Sequence, residues 1–344
     1  MVPACLLRDH GDRQVPVGTD DLAVNVWGPP PAWVLAAAAG ADLSRYPDAR
    51  AAEAAAAARH GRPAAEALAV NGAAEAFWAL AHGLRPRLAA CVHPSFTAPE
   101  AALRSAGVAV HRVVRDPGTG FALDPATVPE AADLVVLGRP DNPTGRVEPV
   151  ATVAALTRPG RLVVVDEAFL EFHTDAGGFA SRPDLPGVVA VRSLTKLWAV
   201  PGLRVGYVVG PAGVLARMRE ALQPWPVNAP AARLLEVLCP AGPARAARAA
   251  GVARARRSLT AGLATVPGLR VWPATANFVL VRHPEVDLRR GLLARGLAVR
   301  RADTFPGLDA SYARVAVHPQ ARVRERLVAE LRGLTDPTEP VRTG

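Results

Sequence analysis

The feature that most limits the fold of this 344-residue chain is a series of short, valine-rich runs that alternate with helical stretches. In chain order these runs are LAACV, DLVVL, RLVVVD, GVVAVRS and LRVGYVVG, all before residue 211. Most are continuously apolar, which is typical of parallel strands that helices cover on both faces. Two alanine-rich helices, ARAAEAAAAARHG and AAEAFWALAHGL, precede them. The sequence therefore predicts an α/β fold, with a mostly parallel sheet between two layers of helices.

A second, smaller unit is predicted after the helical, alanine- and arginine-rich residues 211–265. The segments ANFVLVR, DLRRGLLARG, LAVRRA and YARVAVH alternate strand and helix patterns, and ARVRERLVAELRGL follows as a helix. This order is typical of a small α+β domain. Residues 1–30 are rich in turn formers and are expected to be irregular. The predicted limits are 1–40 for an N-terminal arm with part of the small domain, 41–240 for the large domain, 241–335 for the small domain and 336–344 for a frayed tail.

The charge of the chain raises the question of nucleic acid, since the formal net charge is +9 and the pI is about 10.7. The arginines are scattered, however, and aromatic residues make up only 5% of the chain. The densest basic run, ARAARAAGVARARRS at 244–258, is predicted to be a helix with a solvated basic face. A nucleic-acid or membrane surface there is the less favoured alternative. We expect neither nucleic acid nor membrane as a partner.

Cysteine usage and the absence of targeting patterns indicate the compartment. Cys5, Cys91 and Cys239 are far apart and odd in number, which favours a reducing environment over a disulfide framework. The N-terminus lacks a basic segment followed by an apolar one, and no apolar run approaches the roughly 20 residues of a membrane helix. The sequence predicts a soluble, cytoplasmic protein.

The chain contains a single lysine, and all its other basic residues apart from the histidines are arginines. Lysine and arginine together number 40, and the only lysine is Lys196. Arginine cannot deprotonate in a protein, whereas a lysine can act as a nucleophilic amine. The alternative is that the arginine bias of the composition left one lysine on the surface by accident. The surroundings of Lys196 must decide between the two.

Polar residues follow four of the predicted strands at their carboxyl ends. LAACV leads into a loop with Phe96, DLVVL leads into a loop with Asn142, RLVVVD ends on Asp166, and GVVAVRS ends on Ser193, three residues before Lys196. Ligands of open α/β sheets bind beyond such ends. Taken singly, Asn142 could cap a turn and Asp166 could cap a helix or form a salt bridge. Their convergence with the only lysine indicates a site.

Pyridoxal phosphate requires each type of group that these strand ends supply. Its aldehyde needs an amine such as Lys196, its pyridine nitrogen needs a carboxylate such as Asp166, and its phenolic oxygen needs a neutral donor such as Asn142. Its ring can stack on Phe96. Its phosphate needs hydroxyls, an arginine and a helix N-terminus, which are available from Ser193, Thr195, Arg204 and the segment NGAAEA.

At these residues, and over nearly its whole length, the chain resembles the pyridoxal-phosphate-dependent enzymes of the class I/II aminotransferase family. The segments that carry the resemblance are SLTK with PGLRVGY, DNPTG, VVVDEAF, HPSF, NGAAEA and RYPD. The resemblance implies a homodimer. It implies that the cofactor is bound by Tyr46 of the partner subunit, Ala73, Ala74, Phe96, Asn142, Asp166, Ser193, Thr195, Lys196 and Arg204, with Lys196 and Asp166 catalytic. Family members often have tyrosine where this chain has Phe169, so one bond to the phenolic oxygen is absent here.

Three further segments narrow the resemblance. DHGD, NVWGPPP and VRRADTFPGLDASYARVAVH resemble the threonine-phosphate decarboxylases of cobalamin biosynthesis, and the resemblance to histidinol-phosphate aminotransferases, their close relatives, is also substantial. This likeness implies that His10, Asn25, Arg300 and Arg314 surround the substrate. The chain departs from the pattern at NVWGPPP and at His318, which stands where an arginine is usual. Alternatively, the two arginines are surface residues in an arginine-rich chain, and His10 is merely exposed.

The expected activity is therefore the decarboxylation of an O-phosphorylated amino acid, most specifically L-threonine O-3-phosphate to (R)-1-aminopropan-2-yl phosphate. The alternative within enzymes is an aminotransferase that acts on a phosphorylated substrate such as histidinol phosphate. A transcription regulator with the same fold is not expected, because such regulators carry an additional DNA-binding domain. No metal site is predicted, since the eight histidines form no HExxH motif and the cysteines form no close pair.

Overall fold

The structure, a computed structural model, describes residues 7–9, 15–173 and 178–335. Its strands are β1 Asp20–Leu22, β2 Ala67–Asn71, β3 Leu88–His93, β4 Ala109–Val114, β5 Leu134–Gly138, β6 Leu162–Asp166, β7 Val188–Ser193, β8 Val205–Val209, β9 Arg270–Val271, β10 Phe278–Arg282, β11 Leu297–Arg301 and β12 Tyr312–Ala316. Its α-helices are α1 Ala32–Ala39, α2 Arg50–Arg59, α3 Ala73–Leu84, α4 Ala98–Ser105, α5 Val150–Ala154, α6 Thr195–Trp198, α7 Ala212–Glu220, α8 Ala229–Leu238, α9 Gly242–Leu263, α10 Leu288–Ala294 and α11 Ala321–Thr335.

The large sheet has seven strands in the order β2-β8-β7-β6-β5-β3-β4. Neighbours from β7 to β4 are parallel, whereas β8 runs antiparallel to both β7 and β2. The predicted mostly parallel α/β sheet is confirmed. The five valine-rich runs form β3, β5, β6, β7 and β8. Two strands, β2 and β4, were not among the predicted runs.

Helices cover both faces of this sheet, which explains why its strands are continuously apolar. In β6, Val163 and Val165 face a core to which α1, α2 and α8 contribute, while Val164 faces a second core with α3, α4 and α7. Each central strand therefore places consecutive valines in two different cores, and no position along it is left for a solvent-facing polar residue.

The small sheet has the order β1-β11-β12-β10-β9. Its strands β10, β11 and β12 and the helices α10 and α11 lie where the alternating segments predicted them. β1 was not predicted, because residues 1–30 were expected to be irregular; it pairs in parallel with β11. Valines of β10 and β12 pack against Leu259 of α9 and Leu327 of α11. The domain limits remain a prediction.

The basic run at 244–258 forms part of α9, but its predicted solvated basic face is only partly correct. Arg245, Arg248 and Arg256 are half-buried and donate to backbone carbonyls of neighbouring segments, whereas Arg254 and Arg257 are exposed. A guanidinium group has several donors on a long stem, so arginine can satisfy buried carbonyls where lysine reaches fewer. None of the helices in the described part of the chain is both long and apolar enough to span a membrane.

Candidate cofactor and substrate site

The topology of the large sheet brings the predicted cofactor residues to one edge. β2, β3, β5, β6 and β7 point the same way, so their carboxyl ends meet there, with Asp166 ending β6 and Ser193 ending β7. Because β8 is antiparallel, its start rather than its end lies at this edge. Arg204, the residue before β8, thus joins the strand ends although its own strand runs in the opposite direction.

Asp166 is a buried carboxylate whose recorded hydrogen bond comes from the backbone N–H of Ala168, at 3.0 Å. Burial, with a smaller contribution from the charge of Asp141, raises the pKa of Asp166 to about 7, although the Ala168 hydrogen bond and the ammonium group of Lys196 oppose the rise. Lys196 is half-buried in α6, which follows β7 after a single residue. The only lysine and the carboxylate of β6 therefore lie within electrostatic reach of each other.

The start of α3 carries several groups that can donate hydrogen bonds to an anion. Gly72 precedes this helix with a φ of 75°, and a Cβ at Gly72 would lie 2.5 Å from Nη2 of Arg204. Glycine thus leaves the room that the Arg204 guanidinium occupies beside the first turn of α3, where Ala73 and Ala74 stand. The hydroxyls of Ser193 and Thr195 are buried and 2.8 Å apart. A helix N-terminus, two hydroxyls and a guanidinium group form a suitable donor set for a phosphate.

The amide of Asn142 is oriented by Arg314. Nη1 of Arg314 donates to Oδ1 of Asn142 at 2.6 Å, and Nη2 donates to the carbonyl of Ala23. Since the amide oxygen accepts this bond, the amide nitrogen is left to donate elsewhere, as a phenolic oxygen requires. The guanidinium of Arg314 lies 5.3 Å from the ring of Phe278, which packs edge-on against Phe169 at 4.9 Å.

Arg300 and Arg314 are opposite residues in the antiparallel pair β11–β12. Burial, together with the charge of Arg300, lowers the pKa of Arg314 to about 9, and burial lowers the pKa of Arg300 to about 10. Arg314 forms no ion pair with any of the described residues, and its Nε is buried without a hydrogen-bond partner among them. Arg300 donates to the carbonyl of Asp9 and to Oγ1 of Thr304. The charge of Asp9 partly compensates that of Arg300, but two buried arginines side by side still favour binding of an anion.

Phe96 and Asp166 line the same small cavity, and Phe96 lies 6.5 Å from Phe77 of α3. Asn25 is buried two residues beyond Ala23, whose carbonyl Arg314 binds. Phe96, the predicted ring-stacking residue, therefore lies near the carboxylate of Asp166. Asn25, a predicted substrate residue, is close in sequence to Ala23, which Arg314 contacts.

Among the predicted site residues, Tyr46 is not brought to this edge within one chain. Tyr46 is 76% exposed and stacks on Trp225 with ring centroids 4.2 Å apart. His318 lies in the turn before α11, where its Nδ1 accepts from the backbone N–H of Gln320. His10 lies outside the described residues. In the part of the chain that the structure describes, no cluster of three or more side chains could hold a metal ion.

Two charged residues of the site were missed by the sequence analysis. Asp141 is 1% exposed and precedes Asn142, and Arg115, equally buried at its side chain, forms an ion pair with it. The only signal was the position of Asp141 inside DNPTG. Arg115 follows β4, a strand that was not predicted, so nothing marked it.

Comparison with known proteins identifies the family. The family model described as aminotransferase class I and II matches residues 18–331. The chain belongs to this family. It is therefore a pyridoxal-phosphate-dependent enzyme. The polar groups at the strand ends, the donors at the start of α3 and the buried Asp166 are groups of the kinds that this cofactor requires.

The relatives that are similar to this enzyme do not all share one activity. A histidinol-phosphate aminotransferase of Mycobacterium tuberculosis is 43% identical over 95% of this chain and 92% of its own length. The threonine-phosphate decarboxylase of Salmonella typhimurium is 34% identical over 85% of this chain and 84% of its own. The structure of a histidinol-phosphate aminotransferase from Clostridium acetobutylicum has a TM-score of 0.83 at 23% identity, covering 92% of this chain and 98% of that one.

Proposed function

We propose that this enzyme decarboxylates an O-phosphorylated amino acid, most specifically L-threonine O-3-phosphate, to give (R)-1-aminopropan-2-yl phosphate for cobalamin biosynthesis in the cytoplasm. The observation that carries the proposal is the pair Arg300 and Arg314, which are buried and directly opposite each other on β11 and β12. A substrate with both a carboxylate and a phosphate needs two cationic groups, whereas histidinol phosphate has no carboxylate. Asn25 and, outside the described residues, His10 complete the proposed substrate set.

The proposed cofactor roles follow from the positions of the groups at the sheet edge. Lys196 holds the cofactor covalently through its amine, and Asp166 keeps a proton on the ring nitrogen. Asn142 donates to the phenolic oxygen and Phe96 stacks on the ring. The phosphate is held by Ser193, Thr195, Arg204 and the backbone N–H groups of Ala73 and Ala74. Bound pyridoxal phosphate supplies an electron sink for the pair left at the substrate Cα when a bond to that carbon breaks.

The arginines decide which bond at Cα breaks. Only a bond that stands perpendicular to the ring plane can release its electrons into the ring, so the enzyme selects decarboxylation by how it holds the carboxylate. Arg300 and Arg314 are fixed by hydrogen bonds to Thr304 and Asn142, respectively, so each presents its guanidinium in a defined direction. With the cofactor and substrate bound, the amine of Lys196 would supply the proton that replaces CO2 at Cα.

An aminotransferase acting on histidinol phosphate is the second candidate. It is favoured by one specific observation, the 43% identity to a relative named for that activity. Transamination requires the Cα hydrogen, rather than a carboxylate, to stand perpendicular to the ring, and the same residues would bind the cofactor. The two candidates therefore differ at the substrate arginines and not at Lys196 or Asp166.

Product analysis separates the two candidates. The enzyme is incubated with L-threonine O-3-phosphate alone and, separately, with histidinol phosphate and 2-oxoglutarate. We expect CO2 and aminopropanol phosphate from the first mixture. Glutamate from the second mixture, with no CO2 from the first, would reject the decarboxylase in favour of the aminotransferase. The Lys196→Ala variant is the control, because it should form neither product and retain no cofactor that borohydride can attach.

We also propose that two chains form each active site in a two-fold symmetric dimer, with Tyr46 of the partner subunit binding the cofactor phosphate. In support, Tyr46 is exposed, as are the large apolar residues Trp33, Leu35 and Leu43. Leu35 and Leu43 line an apolar cleft together with residues 199–203, the segment that leads from α6 to Arg204. Exposed apolar surface of this kind marks an interface. Sedimentation of a fully active monomer would contradict the proposal.

A further inference from the structure

Arg115 lies directly after β4 and contacts the loop that carries Phe96. Its backbone N–H donates to the carbonyl of His93 at 2.8 Å, its Nε donates to the same carbonyl at 3.2 Å, and its Nη2 donates to the carbonyl of Pro94 at 2.6 Å. The guanidinium therefore fixes the two residues that lead from β3 towards Phe96. The side chain is 1% exposed, so water does not compete for these bonds.

The same guanidinium also contacts the loop that carries Asn142. Nη2 of Arg115 donates to Oδ2 of Asp141, and the hydroxyl of Ser95 donates to Oδ1 of Asp141 at 2.6 Å. Asp141 is itself fixed, because its backbone N–H donates to the carbonyl of Arg146 at 2.8 Å and its carbonyl accepts from Gly145 at 2.7 Å. One carboxylate is thus bound by residues from two strand ends and held in its own loop.

We propose that Arg115, Ser95 and Asp141, together the Arg115 bridge, position the cofactor site by holding the Phe96 loop and the Asn142 loop at a fixed separation. Ser95 and Asp141 immediately precede Phe96 and Asn142 in the chain. A shift of the Phe96 loop would therefore change the stacking contact with the cofactor ring, and a shift of the Asn142 loop would change the hydrogen bond to its phenolic oxygen. Arg115 is a positioning residue, since it acts through Asp141 and the carbonyls of His93 and Pro94.

The simpler explanation is that Arg115 only neutralises buried carboxylates. Its Nη1 also lies 3.5 Å from Oε1 of Glu148, and burial raises the pKa of Asp141 while Arg115 lowers it. Charge and geometry can be separated, because lysine supplies the same charge without the planar fork that reaches several acceptors. Arg115→Lys should preserve most of the charge balance and lose the fixed separation of the loops.

Arg161 provides a matched control. It is also buried, and it donates to the backbone carbonyls of Pro129, Glu130, Ala132 and Leu156. It precedes β6 and so lies at the amino ends of the parallel strands, opposite the cofactor edge. Arg161→Lys therefore loses a comparable set of contacts without touching either loop.

The test measures cofactor binding in the absence of substrate, so it depends on the cofactor and not on the proposed reaction. Apoprotein of each variant is titrated with pyridoxal phosphate, and the dissociation constant, the absorption maximum and the urea midpoint are recorded. We expect Arg115→Lys to raise the dissociation constant about tenfold and to shift the absorption maximum, the loss of one charge-assisted contact being of that order. Arg161→Lys should lower the urea midpoint and leave both cofactor readouts unchanged.

Two results would overturn the proposal. One is an unchanged dissociation constant in Arg115→Lys, and the other is an equal rise in Arg161→Lys, which would indicate general destabilisation. If Arg115→Lys does not fold, Ser95→Ala takes its place, because it removes a single hydrogen bond to Asp141 and leaves the buried charges intact. A dissociation constant for Ser95→Ala equal to that of the unsubstituted protein would then reject the Arg115 bridge.

Discussion

Asp166 and Glu167 are consecutive carboxylates at the end of β6 with opposite surroundings. Glu167 is fully buried, is paired with Nη1 of Arg192 at 3.0 Å and accepts from the backbone N–H of Phe179 at 2.6 Å. Among the described residues, Asp166 accepts one hydrogen bond, from the backbone N–H of Ala168, and forms no ion pair. Its pKa is raised. Buried charges are normally paired. A buried charge that the chain leaves unpaired is therefore reserved for a ligand, as we propose for Asp166 and the cofactor.

The same contrast separates Arg192 from Arg314. Arg192 is held by Glu167 and Glu171, and despite burial these carboxylates raise its pKa. Arg314 is also buried, but among the described residues it forms no ion pair, and burial together with the charge of neighbouring Arg300 lowers its pKa. The paired groups stabilise the fold, and the unpaired groups favour ligands. Each prediction below tests one member of this comparison.

The largest effect on stability is expected when a paired buried group, Arg192, is replaced. Arg192→Met leaves Glu167 and Glu171 buried with less compensating charge, since Glu167 loses its ion pair and Glu171 keeps the one with Arg59. The free energy of unfolding should fall by about 3–5 kcal/mol, the usual cost of removing one partner of a buried pair. Urea denaturation of the apoprotein measures it. A loss below about 1 kcal/mol would show that the pairing does not stabilise the fold.

Asp166→Asn should have the opposite effect on the apoprotein, and the effect should depend on pH. The pKa of Asp166 is about 7 when folded against 3.8 in the reference state, so the folded protein holds the proton more tightly. The unsubstituted apoprotein therefore loses stability as pH rises from about 4 to 7, and Asn avoids this loss. At pH 8 the variant should be more stable by on the order of 4 kcal/mol. A stability difference that is constant with pH would contradict the interpretation of Asp166.

The smallest predicted effect concerns turnover. Arg314→Met should reduce kcat/KM for L-threonine O-3-phosphate about a hundredfold, equivalent to roughly 2–3 kcal/mol for one charge-assisted contact. Its urea midpoint should fall less than that of Arg192→Met, because the bonds to Asn142 and Ala23 are lost but the repulsion from Arg300 is also relieved. Arg300→Met serves as the parallel variant. A large loss of stability with normal turnover would place Arg314 with Arg192 on the structural side.

Apart from Tyr46, the residues proposed for the cofactor could be predicted to meet at one sheet edge, because each lies at a strand end or within a short local segment. The strands β2 and β4 were missed since their sequences, ALAVN and AVHRVV, lack a continuous run of valines. Contacts between distant residues could not be predicted at all. The hydrogen bond from Arg314 to Asn142 joins residues 172 positions apart, and the pairing of Arg115 with Asp141 depends on the order of β3, β4 and β5. Exposed and buried arginines are also identical in a sequence, which explains the partial error at α9.

The pairing of β1 with β11 has a consequence for synthesis on the ribosome. The strands of the large sheet are complete once Val209 has emerged, so that part can fold while translation continues. β1 emerges among the first segments, yet its partner β11 is translated only near residue 300. Until then the backbone of Asp20–Leu22 has no strand to pair with, and Ala23 has no Arg314 to bind. The residues proposed for the cofactor, apart from the orientation of Asn142 by Arg314, can thus assemble on the nascent chain before Arg300 and Arg314 exist, so the proposed substrate half of the site is the last to form.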